Sequence, residues 1–271
     1  MDLTHAQGIL VDDIRTRMSY LVSPLPIRRK AENLRDLTRL FPALAICKLL
    51  VDADVVKFRE NLTRSGQARR HYLRKSREER NLDDRFLGLS RVQSIFDVVV
   101  ADAMELATDI ASWSIDQWHA AWEYEDDFCY YLFVHRLILD TRFVGSTDAA
   151  ALVARLEKVL DGQPSARLRL CRALNARERG DFRGAFEAFL DEHRTVMDAK
   201  RIRITEYTAE AAFWPTSFVS IEGLAWLRFG EMFGIAPTDQ FAFCPTDARD
   251  LRGSVIVPDL FESLDEALRE T

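Results

Sequence analysis

Apolar residues recur at three- and four-residue spacing along almost the whole chain, the period of a helix with one buried face. This predicts a first helix over Ala6–Leu21, stopped by the rigid Ser23-Pro24-Leu25-Pro26 stretch. Helices are expected at 28–39, 43–50 and 53–80, with Pro42 in the first turn of the second, where its missing N–H does no harm. Ser90–Trp113 reads as one long helix carrying Val92, Ile95, Val99, Met104 and Leu106. Glu123–Leu139 is apolar nearly all round, which predicts a central helix. Thr147-Asp148 caps a helix to Leu160 that ends at Asp161-Gly162-Gln163-Pro164.

Residues 165–199 read as a helical hairpin turned by Arg179-Gly180-Asp181, with Leu168, Cys171 and Leu174 on one arm and Phe182, Ala185, Phe186, Phe189 and Val196 on the other. The unit is similar to a tetratricopeptide repeat, but no second copy follows at that period, which argues against a solenoid. The alternating Arg201–Thr205 suggests a short strand. Ser217–Phe233 is a further helix, ended by Gly234, in which Gly223 and Gly230 share a face and permit close approach of a neighbour. The tail from Ala236 to Pro258 is rich in turns, with a short strand expected at Val255–Val257 and a last helix near Phe261. No Gly/Ser linker interrupts residues 1–271, so the expectation is a single all-α domain. It would be a multi-helix bundle of antiparallel hairpins with an irregular C-terminal segment.

Composition agrees: 48% apolar and 30% charged residues in 271 exclude collagen-like and mostly disordered chains. Residues 1–5 show no secretory leader, and the most apolar runs (41–51, 95–103 and 128–139) fall short of the roughly 20 residues a membrane span needs. Cys47, Cys129, Cys171 and Cys244 are too dispersed for a CxxC metal or redox pair and are expected to be free, buried thiols of a cytoplasmic protein.

Charge is uneven. The net value is -6, yet Lys57–Arg80 alone holds nine basic and three acidic residues. Its aromatics are few (Phe58 and Tyr72), so a solvated helix face is favoured over a base-stacking surface, and nucleic acid is not expected as a partner. Glu123-Tyr124-Glu125-Asp126-Asp127 has two readings: carboxylates capping a helix start, or an acidic rim beside Trp118 and Trp122 that meets a basic partner. Metal binding has little support. Asp116 and His119 form a lone D-x-x-H, and His135 lies about 80° round the helix from Asp127. No HExxH, G-x-S-x-G or glycine-rich phosphate loop occurs, and His135 sits in an apolar helix as a core histidine would.

Three segments, in order, carry a family resemblance. They are Trp122-Glu123-Tyr124-Glu125-Asp126-Asp127-Phe128, the hairpin residues Cys171-Arg172-Ala173-Leu174 with Gly180-Asp181-Phe182 and Ala185-Phe186, and Phe218-Val219-Ser220-Ile221-Glu222-Gly223-Leu224-Ala225. Over roughly residues 90–235 the chain resembles the all-helical immunity proteins of bacterial polymorphic toxin systems, in particular the family numbered 49. Residues 1–80 and the tail after 236 are unassigned. The resemblance implies a cytoplasmic antitoxin that binds and blocks a cognate toxin domain, often a nuclease or another enzyme attacking nucleic acid. It implies no catalytic residue, cofactor or metal. The partner-binding residues expected from the acidic segment are Trp118, Trp122, Glu123, Tyr124, Glu125, Asp126 and Asp127. Two other classes remain open: a helical scaffold or regulator with protein or RNA contacts, and an enzyme using carboxylates and His135 within a bundle.

Overall fold

Asp2 opens the first helix, its carboxylate accepting the His5 N–H at 2.7 Å. The computed structural model describes residues 2–91, 93–203, 211–249, 256–262 and 264. Helix α1 spans Leu3–Leu21, and Pro26 in an extended conformation starts α2, Ile27–Leu50. Two helices were expected here, but α2 runs unbroken through the buried Pro42. A proline inside a helix leaves the carbonyl four residues earlier without its donor. That carbonyl belongs to Thr38, and the Ser65 hydroxyl donates to it at 3.2 Å from the neighbouring helix.

Ser65 lies on α3, Val55–Glu78, capped by Asp54. The expectation of a solvated helix over 57–80 is wrong. Phe58, Leu62, Ala68, Tyr72 and Leu73 are buried, and Arg59 and Arg69 are buried with them. These guanidiniums serve as internal donors to backbone: Arg59 to the Ala101 carbonyl at 3.2 Å, and Arg69 to those of Phe86, Leu87 and Gly88. Arg70 pairs with Asp109 and Asp259, and Arg77 donates to the Trp113 carbonyl. A basic run whose partners are carbonyls looks, in sequence, the same as one facing water.

The long helix expected over Ser90–Trp113 is three pieces. Leu89–Arg91 is a 3-10 turn, α4 is Ser94–Val100 and α5 is Met104–Trp113; Val92 lies outside the described residues. Between α4 and α5 the chain turns at Asp102, whose φ of 61° is a left-handed conformation that aspartate tolerates better than most residues. Helix α6, Glu125–Leu139, begins two residues later than expected and is buried on most sides. Helix α7, Thr147–Leu160, is capped by Ser146, and Asp161 ends it in the left-handed region.

The hairpin pairs α8, Ala166–Ala176, with α9, Arg179–Arg203. Its turn is at Arg177 (φ 57°), so Gly180 and Asp181 lie inside α9. Residues Arg201–Arg203 are helical, not a strand, while Ile204 and Thr205 lie outside the described residues. The helix expected over Ser217–Phe233 starts later: a short α10, Phe213–Thr216, precedes α11, Ile221–Met232, which Ser220 caps. In α11, Gly223 and Gly230 admit α9. A Cβ on Gly230 would stand 3.0 Å from the Phe182 ring, and one on Gly223 3.3 Å from Leu190.

The tail contributes α12, Thr246–Arg249, and helical residues 260–262. Ile256 and Val257 belong to no strand, and Val255 lies outside the described residues. The β pairing found among the described residues is a single bridge between Phe241 and Cys244. The fold is thus an all-helical multi-helix bundle. One apolar cluster runs from Leu21 to Phe261, and Ala6, Leu10, Ala43, Leu44, Cys47 and Ala211 form a small second one beneath α1. All four cysteines are free and buried. No described helix is long and apolar enough to cross a membrane.

Candidate functional site

The carboxylates before and in the first turn of α6 go to separate places. Glu123 is buried and accepts the N–H groups of Leu89 (3.1 Å) and Ser90 (2.8 Å). It therefore holds from one side the same turns whose carbonyls Arg69 holds from the other. Glu125 pairs with Arg155 of α7 at 2.7 Å, and Asp127 pairs with Arg167 of α8 at 3.1 Å. Burial raises the Asp127 pKa, and the Arg167 charge opposes that rise. Asp126 is half-buried.

The aromatic residues divide in the same way. Trp122 is buried and stacks on His119, with ring centres 4.1 Å apart. Trp118 is partly exposed, and its indole N–H donates to the Glu123 carbonyl at 3.1 Å. Tyr124 stands 80% exposed immediately before α6. Of the seven expected contact residues, then, Tyr124, Trp118 and Asp126 reach the surface, whereas Trp122 and Glu123 are internal. The capping reading fails for Glu123: no side chain caps the start of α6, and the N–H groups Glu123 satisfies belong to another segment.

Behind this head lies a polar chain inside the bundle. Arg167 grips Glu222 of α11 with two hydrogen bonds of 2.9 Å. The Tyr130 hydroxyl donates to Glu222 at 2.7 Å and accepts the Trp226 indole N–H at 2.6 Å. Arg167 also lies over the Tyr130 ring, 4.6 Å from its centre. A bidentate guanidinium–carboxylate pair, with its remaining valences satisfied, fixes α6, α8 and α11 in one register. Arg155, Arg167 and Glu222 were missed as site residues. Glu222 lies in the third resembling segment, but nothing local marks the two arginines, which are 30 to 40 positions from their partners in α6.

His135 is a core residue: burial, and then the Arg69 charge, push its pKa down to about 3, so it is neutral. Asp116 pairs with Arg136 at 2.8 Å. Among the described residues no group of three His, Cys, Asp or Glu side chains is placed to hold a metal ion.

Two concavities flank the chain of ion pairs. A shallow groove of about 800 Å³ between α6 and α7 has Leu132, Leu139, Phe143 and Leu152 on its floor and Arg136, Arg142 and Arg155 on its rim. A deeper cleft of about 670 Å³ lies between α2, the 90–97 segment, α9 and the start of α11. At its base the buried Asp97 carboxyl meets the Ser65 hydroxyl at 2.5 Å, and burial pushes that carboxyl up to about 8. No family model, curated protein or solved structure matches this chain.

Proposed function

We propose that this protein is an immunity protein, which binds a cognate toxin domain in the cytoplasm and blocks it without catalysis. The observation that carries the reading is Tyr124, a large aromatic residue standing 80% exposed on a cross-linked base. That base is built by the Glu125–Arg155 and Asp127–Arg167 ion pairs and by the Trp118 hydrogen bond. An exposed tyrosine offers large contact area with only two side-chain torsions to fix, and such residues dominate binding energy at interfaces. The groove beside it, apolar in the middle and charged at the rim, has the layout of a recognition surface. The family resemblance supplies the partner: a toxin enzyme, in this reading one that acts on nucleic acid.

The ion pairs also change which variant tests the idea. Reversing Glu125 would break its pair with Arg155 as well as alter the surface, and removing Trp118 would break its bond to the Glu123 carbonyl, so Tyr124→Ala alone is the cleaner probe. Co-expression with the toxin domain encoded beside this gene is expected to rescue growth. The Tyr124→Ala variant should stay helical by circular dichroism and bind that domain more weakly by about 2–4 kcal/mol. Unchanged binding by the folded variant would move the interface away from the head of α6. A wild-type protein that neither protects nor binds would overturn the reading.

A further inference from the structure

The cleft beneath α9 takes no part in that proposal, and its chemistry is of another kind. Four cations, Arg39, Arg91, Lys200 and Arg203, stand around its mouth and are exposed. Arg91, Lys200 and Arg203 make no ion pair with any described residue, in a protein where most other arginines are paired. Among the described residues two acidic side chains line the cleft, and neither pairs with Arg91, Lys200 or Arg203. Asp97 lies under the Ser65 hydroxyl and, with its pKa pushed up to about 8 by burial, is uncharged at neutral pH. Glu222 is already held by the two hydrogen bonds from Arg167.

The walls beneath the mouth are mixed. Pro42, Met197, Phe213 and Ile221 give apolar surface, while Thr216 and Ser90 add polar groups. The Nε2 atom of His193, on the α9 side, is buried without a hydrogen-bond partner. Burial lowers the pKa of this imidazole, so it is neutral and offers a hydrogen bond, not a charge. An unmatched polar atom in a cavity of ligand size marks a place where a partner is missing.

From the unpaired cations over an apolar, hydroxyl-bearing cleft with an orphaned imidazole nitrogen, we infer that the cleft binds a phosphate-bearing organic anion of nucleotide size. Arginine and lysine converging from two separate segments, the 89–91 turn and α9, suit an anion with several charged oxygens, because each guanidinium or ammonium brings its own donors. The apolar wall suits an organic body, not a bare ion. The volume of about 670 Å³ lies within the range of small-molecule sites, roughly 300–1,000 Å³.

The test is calorimetric titration of the full chain with ADP at physiological salt, with inorganic phosphate as a separate arm. Saturable binding of ADP, weakened at least about ten-fold by Arg91→Ala with Lys200→Ala, is the expected result, since charge-assisted hydrogen bonds are lost. Both side chains are exposed and unpaired, so the variant should keep its circular dichroism spectrum and its melting temperature. Arg142→Ala, on the opposite groove, should bind ADP as the wild type does. Absence of saturable ADP binding, or equal binding by the double variant, overturns the proposal. Equal affinity for inorganic phosphate overturns its organic part. Protection against the toxin is expected to be unaffected by Arg91→Ala with Lys200→Ala, so failure here is separable from failure of the immunity reading.

Discussion

Glu123 shows how little a local pattern says about a carboxylate's task. In sequence it is the first of four acids at a helix start, yet it precedes the helix and supports the 85–91 turns, accepting two N–H groups from Leu89 and Ser90. Truncation would strand both donors, one of them buried, and leave Asp84 as the remaining carboxylate that offsets the Arg69 charge. Glu123→Ala is therefore expected to destabilise the fold by about 2–4 kcal/mol, read as a shift in the urea midpoint. Glu125→Ala removes a half-exposed ion pair and should cost under about 1 kcal/mol. Equal losses from the two would show that Glu123 is not the special member. The acids and aromatics of this segment were legible in sequence; their division into internal and external was not. Arg69, Arg155 and Arg167 decide that division, and they are brought in by folding from distant parts of the chain.

Helix positions were legible at the scale of the element, because a buried stripe imposes its period on any sequence that packs. Helix interruptions were not, because they depend on single residues rescued or bent by neighbours. Pro42 is tolerated because Ser65 takes the stranded Thr38 carbonyl. Asp102 and Arg177 adopt left-handed conformations without being glycine. The opposite case is Gly66 in α3, where α4 and α5 crowd against the helix. A Cβ there would lie 2.0 Å from Val98 Cγ1 and 3.0 Å from Leu106 Cδ2. Gly66→Ala should lower the melting temperature, the overpacking cost of about 1–3 kcal/mol exceeding a propensity gain of roughly 1 kcal/mol. Gly8→Ala in α1 meets nothing within 4 Å and should raise it. Shifts of the same sign for both would mean that the α3–α4 crossing is looser than this contact implies.

Two buried titratable groups shape the stability of the whole molecule against pH. Asp97 is held protonated up to about 8, whereas the unfolded chain loses that proton near the ordinary carboxylate value of 3.8. Between those limits the folded state binds more protons, so this group lowers stability as pH rises, by up to about 1.4 kcal/mol per unit. His135 acts at the other end. It remains neutral down to about 3 while the unfolded imidazole charges below 6.5, so its contribution lowers stability as pH falls through that window. Asp97→Asn, whose side-chain amide can donate to the Ser65 oxygen and does not titrate, should flatten the loss seen between pH 6 and 8 in urea titrations. An unchanged slope would place the proton elsewhere. The two arms of the α8–α9 hairpin have a consequence of a mechanical kind. They hold 11 and 25 residues, about 16 and 37 Å of axis, so α9 projects roughly 20 Å beyond its partner. Its last buried residue is Leu190. Beyond Leu190 the His193 ring and the Arg194 guanidinium still meet the Phe243 ring, and a tilt of roughly 5° about that contact would carry Arg203, some nine residues on, by about 1 Å. Met197, Lys200 and Arg203 lie on the stretch past that contact, so small tilts of one helix change how far its cations stand from Arg91 across the cleft.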